Sequence, residues 1–173
     1  MPFSDEILGS IIKLSLNDIS SLEMVPFEKM HNLKNLLVVN NKKPLLNING
    51  IEKSKSIEHL DLDNHKITDV TPLASITSLS FLILSFNKIK DISCLEMCKN
   101  LKLLSLSNNP ITIIDVVSNF DKLESLRISD TKVKDIAVLS NLPKLKNLYV
   151  PLSLSEEELK KLKTAKPEIS ISY

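Results

Sequence analysis

The chain has 173 residues, 43% hydrophobic and 25% charged, with 22 basic against 21 acidic side chains and a formal charge of +1. That is an ordinary soluble balance, long enough for one domain with a real core. It excludes several classes: a lone arginine (Arg127) and no basic tract argue against nucleic acid, no apolar run approaches the ~20 residues of a membrane span, and two glycines, Gly9 and Gly50, leave no Gly-rich phosphate loop for a nucleotide.

At the start, "MPFSDEILGS" lacks a basic region followed by an apolar core. No secretory signal is expected from it, and a cytoplasmic location is the expectation. "FSDEILGS" reads as one helical turn capped by Ser4, with Ile7 and Leu8 facing the body of the domain. A repeating unit then begins. "IIKLSL" opens at Ile11 and "LKNLLVVNN" at Leu33. "IEHLDLDNHKI" opens at Ile57, "LSFLILSFNKI" at Leu79, "LKLLSLSNNPI" at Leu101 and "LESLRISDTKV" at Leu123. "LKNLYV" at Leu145 continues the series. The spacing is 22 residues, with two extra before Ile57, which makes seven units with the first two and the last degenerate. A fixed period of this length marks a solenoid, and residues 1–173 are expected to form one such domain.

Positions are counted from the first residue of each unit. Positions four and six, such as Leu82 and Leu84, alternate in an extended strand and point to one side. Position nine holds Asn41, Asn87 and Asn109, with His65 and Thr131 as substitutes. An amide there can donate to and accept from backbone left inside the turn after the strand. Apolar residues return at position eleven (Ile67, Ile89, Ile111, Val133), fourteen (Val70, Ile92, Ile114, Ile136) and seventeen (Leu73, Leu95, Val117, Leu139). Each unit buries these only against its neighbours, so the core runs along the stack. Cys94 and Cys98 lack the partners of a zinc pattern and read as small buried groups. His31 falls on the outer path of the first unit.

The chain closes on a cap over residues 152–173. Ser155 precedes Glu158 by three residues, a capping box. Glu156 and Glu157 in the first turn and Lys160, Lys161 and Lys163 later suit the helix dipole. Leu159 and Leu162 can pack on the last unit, Pro167 stops the helix, and "EISISY" alternates as a strand.

The pattern LxxLxLxxNxI resembles the leucine-rich repeat family. The unit length and segments such as "KITDVTPLASITS" and "KIKDISCL" are most similar to internalin-type repeats of bacteria. They are also similar to repeats in the leucine-rich regulatory subunit of protein phosphatase 1. The resemblance spans about residues 11–150. It implies an α/β solenoid, with a parallel β-sheet on a concave face and short 3₁₀ or irregular segments on the convex face.

Little points to chemistry. His59, Asp61 and Asp63 share the concave face, but alternate strand residues lie about 7 Å apart, stretched for shared metal coordination. No Ser or Cys nucleophile has a base at matching spacing. No catalysis, cofactor or metal is expected. The expected role is protein–protein recognition through the concave face by a monomer. The resemblance to the phosphatase subunit implies one alternative, a regulatory subunit docking on an enzyme such as a phosphatase; the targeting domain of a larger effector or ligase is another. A structural scaffold is a further one. The expected centre of the partner site is an apolar patch of Phe81, Ile83 and Leu103 on the concave face, with Phe86 at the rim where the chain leaves the strand. His59 and Asp61 flank it on one side and Arg127 on the other, with Tyr149 further along.

Overall fold

A computed structural model describes residues 4–40 and 42–173. Phe3, in the expected helical turn, and Asn41, expected in the amide column, lie outside the described residues. The strands are β1 (Lys13–Asn17), β2 (Asn35–Val39), β3 (His59–Asp61), β4 (Phe81–Ile83), β5 (Leu103–Ser105), β6 (Ser125–Arg127), β7 (Asn147–Tyr149) and β8 (Ser170–Ser172). Among the described residues they form one parallel sheet of eight strands in chain order. The register aligns equal positions of successive units: Leu36, Leu60, Leu82, Leu104, Leu126 and Leu148 lie across from one another. They form one column of the core, each at most 1% exposed.

The outer path returns through 3₁₀ turns at Thr71–Ser75, Ser93–Met97, Asp115–Asn119 and Ala137–Asn141, with shorter ones at Phe27–Lys29 and Ile51–Lys53. Buried residues three apart around each five-residue turn (positions fourteen, seventeen and twenty, such as Val70, Leu73 and Ile76) match the three residues per turn of this helix. In three units an aspartate two residues upstream starts the turn. Asp69, Asp91 and Asp135 accept from the N–H of Thr71, Ser93 and Ala137 at 2.8, 2.8 and 2.9 Å. Gly50 opens the Ile51–Lys53 turn at φ 98°, and a Cβ there would stand 2.9 Å from Glu23 Cα and Leu22 O. Both the backbone conformation and the close approach demand glycine.

At the first end, α1 (Asp5–Ser10) is capped by Ser4, whose Oγ accepts from Ile7 N at 3.4 Å. Leu8 is buried, but Ile7 is 51% exposed, which corrects the expectation that both face the stack. Successive helical residues are rotated by about 100°, so a short helix cannot turn both inward. At the other end, α2 (Glu156–Ala165) is capped by Ser155, whose Oγ accepts from Glu158 N at 3.2 Å. It packs on the Ala137–Asn141 turn, buries Leu162, and delivers β8 beside β7.

The polar column is a continuous device. Asn87 Oδ1 accepts from Ile67 N at 3.0 Å, and its Nδ2 donates to Leu62 O and Leu84 O at 2.9 and 3.0 Å. Asn109 repeats this one unit on, with Ile89 N at 3.0 Å and with Leu84 O and Leu106 O both at 2.9 Å. His65 stands in for the amide. Its Nδ1 accepts from Leu45 N at 3.1 Å, so Nε2 carries the proton and donates to Val38 O at 3.1 Å. Burial pushes its pKa down, which keeps the ring neutral.

Candidate functional site

Odd positions of each strand leave the core and line the inner face of the arc. Position three brings Lys13, Asn35, His59, Phe81 and Leu103 into one row. Position five brings Ser15, Leu37, Asp61, Ile83 and Ser105 into a second. Across β1 to β4 these rows enclose a groove of about 550 Å³, lined by both the apolar Leu37, Phe81 and Ile83 and the polar Lys13, Asn35, His59 and Asp61. That volume is within the range of small-molecule and side-chain pockets, roughly 300–1,000 Å³.

Neighbouring rungs of a parallel sheet lie about 4.8 Å apart, so two rings in one row must stack. His59 and Phe81 do, with centroids 4.3 Å apart and planes inclined by 28°. Asp61 turns one carboxylate oxygen back onto Asp63 N at 3.0 Å. Partial burial, and then the charge of Asp61, raise the pKa of Asp63. Lys34 and Glu58 pair at 2.7 Å where β2 and β3 begin, and that hydrogen bond lowers the carboxyl pKa of Glu58.

The residues expected to form one patch fall into three places. His59, Asp61, Phe81 and Ile83 line the groove. Leu103 lies in register beside Phe81, half-buried at the groove's border. In the other row, Ser105 follows Ile83 and separates it from Arg127. It is 4% exposed and shares a 2.7 Å hydrogen bond with Ser85 Oγ. Arg127 and Tyr149 therefore form a separate pair on adjacent rungs, the guanidinium 5.1 Å above the ring, a cation–π contact. Phe86 is not on the inner face. It sits past the strand, on the edge of the arc, among Asn64, Lys66 and Lys88, and lines a different groove. The left-handed turn at Phe86, φ 54°, redirects the chain there.

Leu37 was absent from the expected patch and belongs in it, 40% exposed on β2. The sequence signal for it is position five of the unit at Leu33.

The reactive side chains are tied into the fold. Burial pushes the thiols of Cys94 and Cys98 up to about 11, so both are protonated at neutral pH. Cys98 Sγ lies 3.9 Å from both Leu73 O and Ile76 O. His65 spends both ring nitrogens on backbone. What remains on the inner face is a surface suited to contact: an apolar groove with a stacked aromatic wall and a few charges.

Comparisons with known proteins agree with this geometry. The family model described as "Leucine Rich repeats (2 copies)" matches residues 77–119. No curated protein matches the chain. Among solved structures, an internalin (InlF) of Listeria monocytogenes superposes with a TM-score of 0.83 at 24% identity, over 95% of this chain and 48% of that one. Internalin C2 of Listeria monocytogenes gives 0.66 at 28% identity, over 92% and 80%. A leucine-rich-repeat protein of Leptospira interrogans gives 0.75 at 25% identity, over 98% and 51%. The chain thus spans about half the length of the first and third of these.

Proposed function

We propose, because the chain is a leucine-rich-repeat solenoid of internalin-type repeats, that it recognises a partner protein through its concave face and catalyses no reaction. Such repeats generally serve protein–protein interaction, since a stack of rungs presents a long curved surface at fixed spacing. One observation carries the narrower reading. The groove over β1 to β4 places Leu37, Phe81 and Ile83 together with a rim of His59, Asp61 and Lys13. Grouped apolar side chains with a polar border are what an interface core needs, whereas scattered ones are ordinary surface.

Phe81 is the anchor in this reading. It is half-buried against His59, so its ring is held in place before a partner arrives. Little ordering entropy is then lost on binding. Affinity capture from the native cell, with wild type and two variants, tests the assignment. Phe81→Ala should keep the fold and lose about 2 kcal/mol or more of partner binding. Leu84→Ala, 0% exposed and on the core side of the same unit, should instead lose about 2–5 kcal/mol of folding stability. Capture of the same partner by Phe81→Ala at wild-type affinity would remove the groove from the binding site.

A further inference from the structure

In five rungs, position eight turns the chain off the strand through a left-handed residue. Asp18, Asn64, Phe86, Asn108 and Asp130 have φ of 52, 58, 54, 58 and 54°. Asn and Asp tolerate this region because their short polar chains bond locally, whereas a bulky aromatic is an outlier there. Phe86 occupies it and is 55% exposed. Its ring therefore does not recover through burial what its backbone costs. Folding gives no reason for phenylalanine at a site where neighbouring rungs use Asn or Asp.

Two residues further on, at position ten, stand Lys66, Lys88 and Lys132, with Pro110 in the intervening rung. Their backbones form a ladder. Lys66 N donates to Leu45 O at 2.9 Å, Lys88 N to Ile67 O at 2.8 Å, and Lys132 N to Ile111 O at 2.8 Å. The ladder sets the three lysines along one edge at multiples of a rung, about 4.8 Å each. All three are exposed. Among the described residues, the ion pairs involve Lys29, Lys34 and Lys161 and none of these three. Phe86, the three lysines, Asn108 and Asp130 line one open groove of about 740 Å³ along this edge. It shares no lining residue with the concave groove.

We propose that this edge is a second docking surface, which takes an acidic segment of a partner protein with an apolar side chain seated on Phe86. Charge complementarity selects the occupant. Three like charges that form no ion pair among the described residues repel one another, and an acidic chain relieves that repulsion; Asp130 is the one carboxylate among the residues lining the groove. A strand of nucleic acid fits less well. The groove holds one aromatic and no arginine, and the whole chain carries a formal charge of only +1, so the long-range field that gathers polyanions is missing.

Fluorescence anisotropy on the full chain tests this with three probes: a labelled peptide of glutamates around a central leucine, the same peptide with glutamines, and an oligothymidylate. The glutamate peptide should bind saturably, more weakly as salt rises, and tighter than either control. Phe86→Asn should weaken it about tenfold or more while raising Tm by about 2–4 °C, because the left-handed site is relieved. The double variant Lys66→Gln/Lys88→Gln should weaken binding and flatten its salt dependence. Phe81→Ala should bind like wild type. The proposal falls if the glutamate peptide does not bind, if Phe86→Asn binds it unchanged, if Phe81→Ala loses it equally, or if the oligothymidylate binds tighter.

Discussion

Asn109→Ala is the sharpest test of how the rungs are held together. The amide is 2% exposed, so water cannot replace it. Its Oδ1 is the acceptor for Ile89 N at 3.0 Å, and its Nδ2 donates to Leu106 O and Leu84 O, both at 2.9 Å. Alanine removes these bonds and a longer one from Nδ2 to Ser107 O at 3.3 Å, but the consequences differ. Leu84 O keeps the Nδ2 of Asn87 at 3.0 Å. Ile89 N–H and Leu106 O lose their amide partner with no solvent at hand. An orphaned buried group costs about 1–3 kcal/mol, with carbonyls at the lower end, so the expected loss is about 2–3 kcal/mol. The reverse change exists one rung on. Thr131 Oγ1 donates to Ile128 O at 2.6 Å, and among the described residues Ile111 N has no side-chain acceptor like those serving Ile67 and Ile89. Thr131→Asn should extend the column and gain about 1 kcal/mol. Urea titration by circular dichroism gives both numbers, and hydrogen exchange at the Ile89 amide locates the effect. A loss below about 0.5 kcal/mol, the range of ordinary surface changes, with unchanged exchange at Ile89, would refute the reasoning.

His65 should make stability pH-dependent. Burial holds its folded pKa below 6.5, so its contribution is complete above 6.5 and is lost as the pH falls through the folded value, where the unfolded chain already binds the proton. Thermal melts from about pH 8 to about pH 5 should show that fall, and His65→Asn, which restores the amide of the neighbouring rungs, should flatten it; an identical slope in both proteins would rule His65 out as its source. Ser54 is 1% exposed with no partner for its Oγ, in a column otherwise filled by Met30, Ile76, Cys98, Phe120 and Leu142. Ser54→Ala should raise stability by about 1 kcal/mol in chemical denaturation, and a loss would mean the hydroxyl has a partner in solution. Deleting residues from Ser155 onward uncovers β7 with Leu145 and Leu148, now 5% and 1% exposed. An open apolar edge of a parallel sheet aggregates, so light scattering should show loss of monomer, and an unchanged monomer with an unchanged melt would show the cap to be dispensable.

Much of the fold was legible in the sequence because a solenoid makes contacts local in a periodic sense. The surroundings of Leu82 are Leu60 and Leu104, one unit before and one after, so aligning the chain on itself amounts to drawing its contact map. The same logic placed Asn87 and Asn109 inside, whereas the 3₁₀ turns on the outer path were implied by the family resemblance and Ser155 at the head of a helix by its spacing to Glu158. The candidate surface was legible only in part. Alternation along a strand says which side a residue faces, and it brought His59, Asp61, Phe81 and Ile83 to one groove. It does not say what the neighbouring rungs leave uncovered. Ser105 faces the same way as Ile83 yet is 4% exposed and bonded to Ser85, whereas Leu37, between Ser15 and Asp61 in its row, is 40% exposed. Nor does it give the sign of a backbone dihedral. Phe86 stands only three residues after Ile83, but one left-handed turn carries it off the concave face to the edge beside Lys66 and Lys88. Period and polarity, which are properties of the chain, determined the stack; exposure and direction, which depend on the sizes of side chains across rungs and on the turn between them, were decided by the tertiary structure.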